Sequence, residues 1–178
     1  MGWANVVTAL RILLMPLLVA LILTRDRNAA YIAAVVFFAA AATDGLDGYL
    51  ARRYESTTRL GQWLDPLADK LLISAPVITL TAQDRFPLWA AIIIVLREVA
   101  VSLLRAWLGT QGRSMPASDW GKVKTGAQVL AIFLYIIPFG PEAGDARLVA
   151  LILAVVLTVW SGLDYVFREL GRRERVGG

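Results

Sequence analysis

Residues 43 to 70 read T-D-G-L-D-G-Y-L-A-R-R-Y-E-S-T-T-R-L-G-Q-W-L-D-P-L-A-D-K, and their flanks are apolar: A-A-V-V-F-F-A-A-A-A at 33–42 and L-L-I-S-A-P-V-I-T-L at 71–80. Four aspartates therefore stand at the ends of two strongly apolar segments. Carboxylates in that setting face a water-filled cavity, pair with cations or hold a metal. In helical conformation Asp44 and Asp47 are three apart and Asp65 and Asp69 four apart, so each pair shares one face of its helix. Gly48 lies one turn after Asp44 and Gly61 one turn before Asp65, which leaves bare backbone beside each acidic face where a bulky substrate can approach. The short connection from Arg53 to Leu60 makes the two helices antiparallel neighbours and brings the pairs face to face. Oxygen-rich side chains around one small volume suit a hard divalent cation, and Mg²⁺ commonly shares its shell with water and substrate phosphates.

Composition narrows the chemistry. The 178 residues are 58% hydrophobic with mean hydropathy +0.63, too apolar for an ordinary soluble domain, so the expectation is a membrane protein. The absence of cysteine excludes disulfides and thiolate catalysis, and the absence of histidine removes the usual general base and zinc ligand. Acid–base work then falls to carboxylates, lysine, tyrosine or water, with the aspartates leading. The net charge of +4 and pI near 9.8 come from basic residues in short loops between apolar runs, a pattern that fits anionic headgroups better than nucleic acid. Met1 to Thr8 has neither a basic start nor a small-residue cleavage pattern, so the first apolar run reads as a retained helix.

Apolar runs of spanning length lie near 6–23, 29–50, 61–82, 87–109, 122–139 and 147–167. They predict an all-α, polytopic membrane protein of six transmembrane helices forming one domain over residues 1–178. The breaks, including R-D-R-N at 25–28 and F-G-P-E-A-G-D at 139–145, carry helix-stopping or charged residues. Six spans place both termini on one side. Arg25, Arg27, Arg85 and Arg147 lie by the loops of one face, and the other 14 of the 18 basic residues lie at or near the opposite face. The positive-inside rule makes the richer face cytoplasmic, together with both termini and the aspartates. The expected location is the inner cell membrane, multi-pass, with the site facing the cytosol. Asp44 would sit roughly 9 Å below the cytoplasmic end of its helix, deep enough for a soluble headgroup to enter while acyl chains stay in lipid.

The pattern D-x-x-D-G-x-x-A-R, eight residues, then G-x-x-x-D-x-x-x-D is met at Asp44, Asp47, Gly48, Ala51, Arg52, Gly61, Asp65 and Asp69 without departure. It resembles the signature of the CDP-alcohol phosphatidyltransferases. That resemblance implies a transferase that moves a phosphatidyl group from CDP-diacylglycerol to an alcohol and releases CMP. Two ions, Mg²⁺ or Mn²⁺, would be held by Asp44, Asp47, Asp65 and Asp69, with Asp69 as general base. It also implies that Asn5, Gly48, Ala51, Arg52 and Thr58 hold the CDP-lipid, and that the protein is a homodimer. Arg52 suits such a role chemically, since a guanidinium bridges phosphate oxygens in bidentate fashion.

Other charged positions leave more than one reading. In N-V-V-T-A-L-R-I-L-L-M-P, Asn5 or Thr8 could cap the helix and Arg11 could snorkel to the surface, apart from the nucleotide role that the resemblance gives Asn5. Arg97 and Glu98, mid-helix in L-R-E-V-A, read as an ion pair that fixes packing, and Arg105, two turns on, is the better phosphate ligand. Lys122 and Lys124 open the fifth helix, where amides and the helix dipole favour anions; lysines at a membrane edge also simply meet headgroups. The run G-K-V-K-T-G-A-Q resembles the branch of the family whose acceptor is sn-glycerol 3-phosphate. On that basis Arg105, Lys122 and Lys124 are expected to bind the acceptor phosphate. Phosphatidylglycerol, as in a cardiolipin synthase, is the second acceptor, and inositol phosphate a further one. An ion-coupled transporter is the reading from another class, and it lacks a midplane acidic site. Asp164 reads as a structural partner of an arginine, while Trp3, Trp63, Trp107, Trp120 and Tyr165 read as an interfacial belt.

Overall fold

Long apolar stretches rich in alanine and leucine, both strong helix formers, fold into six α-helices among the described residues. They are α1 (Trp3–Leu23), α2 (Arg27–Tyr54), α3 (Arg59–Ala82), α4 (Leu88–Thr110), α5 (Asp119–Ile136) and α6 (Gly144–Val176), with a 3₁₀ turn at Pro141–Ala143 before α6. This computed structural model describes the backbone of residues 3–54, 59–111 and 119–176 and the side chains of residues 7–43, 67–111, 120–140 and 142–167. No strand occurs among the described residues.

Local chemistry sets the helix ends. Asp26 Oδ2 accepts a hydrogen bond from Ala29 N at 2.8 Å and caps the start of α2. Pro87, extended at φ −63° and ψ 125°, immediately precedes α4. Pro138 has no amide donor, so α5 stops at Ile136 and not at 139 as its hydropathy suggested. The chain leaves α1 and α3 through Arg25 (φ 56°) and Asp84 (φ 59°), both in the left-handed region that ends helices. α1 begins at Trp3, so Asn5 and Thr8 lie inside the helix and neither caps it. α6 runs past the expected 167 to Val176, because the polar R-E-L-G-R-R-E-R segment is still a good helix former.

The bundle alternates up and down. At one end Gln83 Nε2 donates to Leu23 O at 3.3 Å, joining the end of α1 to the α3–α4 turn. Arg85 Nη2 donates to Ile136 O at 3.1 Å, and Arg147 donates from Nε to Leu134 O at 3.0 Å and from Nη2 to Ile137 O at 2.7 Å. These are carbonyls at the C-terminal end of α5, which lack intrahelical donors. Burial, with Arg147 and Arg25 beside it, holds the Arg85 guanidinium below its ordinary pKa.

α1 packs on α2 and α3, α6 packs on α5 and α4, and α2 and α3 both meet α5. Met15, Leu18 and Ile22 of α1, Phe37 of α2, Val77 and Leu80 of α3, Ile94 of α4, Ile132 and Ile136 of α5 and Leu151 of α6 share one buried cluster. Small residues, Ala131, Ala150 and Ala154, let α5 and α6 approach closely. Among the described residues one stretch, Gly144–Phe167, is long and apolar enough to cross a membrane, and Val7–Leu23 and Arg27–Thr43 are shorter apolar stretches. α4 and α5 carry Arg97, Glu98 and Lys124 within their length.

Candidate functional site: a polar layer at one end of the bundle

Each inward stripe changes character along its helix. On α1 the buried positions are Thr8, Arg11, Met15, Leu18 and Ile22, at helical spacing, so the stripe is polar at its N-terminal end and apolar beyond. On α5 the buried stripe runs Lys124, Gln128, Ile132, Ile136, and on α6 it runs Leu151, Val155, Thr158, Ser161 and Tyr165. Because neighbouring helices alternate in direction, the polar ends meet in one layer, at the end of the bundle away from Arg85 and Arg147. Asp69 of α3 belongs to that layer.

Arg11 is 4% exposed, and its Nη1 lies 3.9 Å from Asp69 Oδ1, whose side chain is 57% exposed. Arg11 therefore does not snorkel. It stays inside the bundle and presents its charge to the more open carboxylate. Neighbouring helices supply the rest of the layer. Lys124 Nζ is paired with Glu98 Oε1. The same oxygen lies 3.4 Å from Arg97 Nη1 and 3.4 Å from Gln128 Nε2. Arg97 Nη2 donates to Ser161 Oγ at 2.9 Å, and Gln128 Nε2 donates to Thr158 Oγ1 at 2.9 Å. Thr158 Oγ1 in turn donates to Ala154 O at 2.6 Å, and Ser161 Oγ to Thr158 O at 3.0 Å. Arg97 and Glu98 thus form the expected packing ion pair, widened into a network tying α4 to α5 and α6. Asp69 lies within electrostatic reach of Lys124, which joins the two groups of charges.

The residues picked out in the sequence divide accordingly. The backbone carrying Asp44, Asp47, Gly48, Ala51 and Arg52 is helical in α2, and that carrying Asp65 and Asp69 is helical in α3, so the three- and four-residue spacings do place each acidic pair on one helix face. Of these seven, only Asp69 has a described side chain; the others lie outside the described side chains, as does that of Asn5, and Thr58 lies outside the described residues altogether. Lys122 and Lys124 do not act alike. Two positions apart on a helix they point to nearly opposite sides, and Lys122 is exposed while Lys124 is buried against Glu98. Since α5 starts at Asp119, Lys124 also falls in its second turn, beyond the unpaired amides of the helix start. Arg105 is exposed, with its guanidinium carbon 5.8 Å from the centroid of the Tyr165 ring. Tyr165 is 6% exposed, so it is an inward partner of Arg105 and not part of an interfacial belt. Trp107 and Trp120 do point outward.

The donor chemistry fits a divalent cation. Carboxylate oxygens suit Mg²⁺ or Mn²⁺, and the chain has no histidine or cysteine that would favour a softer metal. Among the described residues the linked charges of the layer are Arg11, Arg97 and Lys124 against Asp69 and Glu98. Asp69 therefore stands among cationic side chains at one end of the bundle.

The chain is similar to known proteins over most of its length. The family model for CDP-alcohol phosphatidyltransferase matches residues 1–160. A Pseudomonas fluorescens protein named CDP-diacylglycerol–glycerol-3-phosphate 3-phosphatidyltransferase is 41% identical over 177 residues, covering 93% of this chain and 89% of the relative. A Haemophilus influenzae protein of the same name is 36% identical over 164 residues, covering 89% and 88%. A probable phosphatidylglycerophosphate synthase of Mycobacterium tuberculosis is 38% identical over 170 residues, covering 94% and 81%. With the signature unbroken from Asp44 to Asp69 and the match extending over nearly its whole length, the chain belongs to the CDP-alcohol phosphatidyltransferase family.

Proposed function

We propose that the protein transfers the phosphatidyl group of CDP-diacylglycerol to sn-glycerol 3-phosphate, giving phosphatidylglycerophosphate and CMP. The observation that carries this reading is the near full-length match to relatives of that name, in a chain whose inner polar layer sets Asp69 among cations. The acceptor hydroxyl oxygen forms a bond to the lipid-linked phosphorus, the pyrophosphate P–O bond breaks, and CMP carries away the electron pair. Asp69 takes the hydroxyl proton, and its advantage as a base is placement.

Asp44, Asp47, Asp65 and Asp69 are the residues that would hold two divalent ions. Such ions supply charge neutralisation on the pyrophosphate and the leaving CMP. Arg11 steadies the Asp69 carboxylate from within the bundle. Asn5, Gly48, Ala51, Arg52 and Thr58 hold the CDP-lipid, and Lys124, with Arg105, receives the acceptor phosphate, while Lys122, on the other side of α5, stands apart from that site. Since phosphoryl transfer is catalysed mainly by positioning and charge stabilisation, an arrangement of acids flanked by arginine and lysine is matched to the task.

The same reading places the chain in the inner membrane as six spans, with both termini and the polar layer on the cytoplasmic side, and as a homodimer. Side-chain placement supports the membrane part: Leu13 (72% exposed), Val35 (68%) and Leu103 (66%) face outward, while Arg11, Lys124 and Gln128 are buried. Water would penalise that outer surface, and lipid would not. The experiment is to incubate the purified protein with CDP-diacylglycerol, Mg²⁺ or Mn²⁺ and one acceptor at a time, following CMP. Release with glycerol 3-phosphate well above that with phosphatidylglycerol or inositol phosphate is expected; the reverse order overturns the assignment of acceptor.

A further inference from the structure

Glu98 has no part in the reaction as set out above, yet it is the hub of the buried network. Its Oε1 meets three donors from two helices: Lys124 and Gln128 of α5 and Arg97 of its own α4. Arg97 and Gln128 are themselves tied to Ser161 and Thr158 of α6. Packing alone does not account for this. A buried ion pair is weak as a stabiliser, because apolar residues of similar volume commonly do as well or better. The network also leaves Gln128 Oε1 and Arg97 Nε buried without a hydrogen-bond partner among the described residues, a cost that an apolar seam would avoid. What the arrangement does supply is a lysine held at one place. A lysine side chain has four rotatable bonds and on its own would sample many positions. Here Lys124 is 5% exposed, bound to a carboxylate that three helices position, and within electrostatic reach of Asp69.

We propose that Glu98 is a positioning residue for the acceptor: it fixes the Lys124 ammonium in the polar layer that also holds Asp69, so that a phosphomonoester bound there presents its hydroxyl to that carboxylate. The proposal rests on the reading that Lys124 binds the acceptor phosphate. Glu98 neutralises only one of the two cations it touches, so the Arg97–Glu98–Lys124 group keeps a net positive charge for an incoming dianion. It acts on substrate only through Lys124 and so differs from a phosphate ligand such as Arg105.

The test is a double-mutant cycle on the full-length enzyme in lipid nanodiscs with Mg²⁺, comparing E98Q, K124M and E98Q/K124M by the KM for glycerol 3-phosphate, the KM for CDP-diacylglycerol and kcat. E98Q is expected to raise the KM for glycerol 3-phosphate about tenfold and K124M by at least as much, with the KM for CDP-diacylglycerol held within about twofold. If Glu98 works through Lys124, the double variant is no worse than K124M alone. E98D, which keeps the charge on a shorter stem, is expected to fall between wild type and E98Q, and it carries the same comparison if E98Q does not fold. Multiplying effects in the double variant, or a rise in both KM values together, overturn the positioning role. A normal KM for glycerol 3-phosphate in E98Q beside a raised one in K124M overturns it while sparing Lys124 as ligand. A normal KM in K124M removes Lys124 from the phosphate site and the proposal with it.

Discussion

Arg11 of α1 and Asp69 of α3 meet across the bundle at 3.9 Å, the arginine buried and the carboxylate more than half exposed. The contact is too long for a direct hydrogen bond, so the interaction is one of charge, softened by solvent on the aspartate side. Removing the guanidinium should therefore disturb the Asp69 carboxylate without displacing it. Arg11→Met is expected to lower kcat/KM about tenfold and Arg11→Lys by less, in a CMP-release assay. Unchanged turnover in Arg11→Met would mean that the buried charge serves packing alone.

Asp69→Asn keeps the shape of the side chain and removes its basicity. Turnover should fall about a thousandfold, the scale of a lost general base, while CDP-diacylglycerol binding remains measurable by isothermal titration. Full activity in this variant would take Asp69 out of the proton transfer.

Chelation provides a separate check on the acidic stretch. EDTA should stop CMP release, and added Mg²⁺ or Mn²⁺ should restore it, with Asp44→Ala losing metal and nucleotide binding together. Activity that persists after exhaustive chelation would contradict the two-ion reading.

Arg85 bonds to the end of α5 far from the polar layer, at Ile136 O and Tyr135 O. Arg85→Met leaves those carbonyls short of donors and should cost about 1–2 kcal/mol, read as a fall of about 3 °C in the thermal midpoint. The KM for either substrate should stay as it was. A shift in KM with no loss of thermal stability would place Arg85 in substrate handling.

Much of this structure was legible in the residues. The six apolar runs mark the six helices, and R-D-R-N at 25–28 falls where α1 gives way to α2. Hydropathy failed where polarity and helicity part company: it ended the last helix at 167 although the charged tail continues the same hydrogen-bonded spiral to Val176, and it carried α5 past Pro138. The four aspartates stand out by their spacing within one stretch, and Asp69 is the one of them whose side chain is described. The Glu98–Lys124 pair does not stand out, because 26 residues separate its members and only the rotation of α4 against α5 brings them together. Arg11 gave a signal that could have been used, since it stands on the same stripe as Met15, Leu18 and Ile22 and so had to point inward. Tyr165 was misplaced for the same reason, judged by its nearness to a helix end and not by the stripe it shares with Thr158 and Ser161.

The arginine clasp around the last turn of α5 gives the molecule a fixed foot. Arg147, from the first turn of α6, and Arg85, from the turn before α4, both close on carbonyls within Leu134–Ile137, so three helices are knotted together there by main-chain acceptors. The buried Glu98–Lys124 pair then fastens α4 to α5 again further along, so the two helices are held together at two levels.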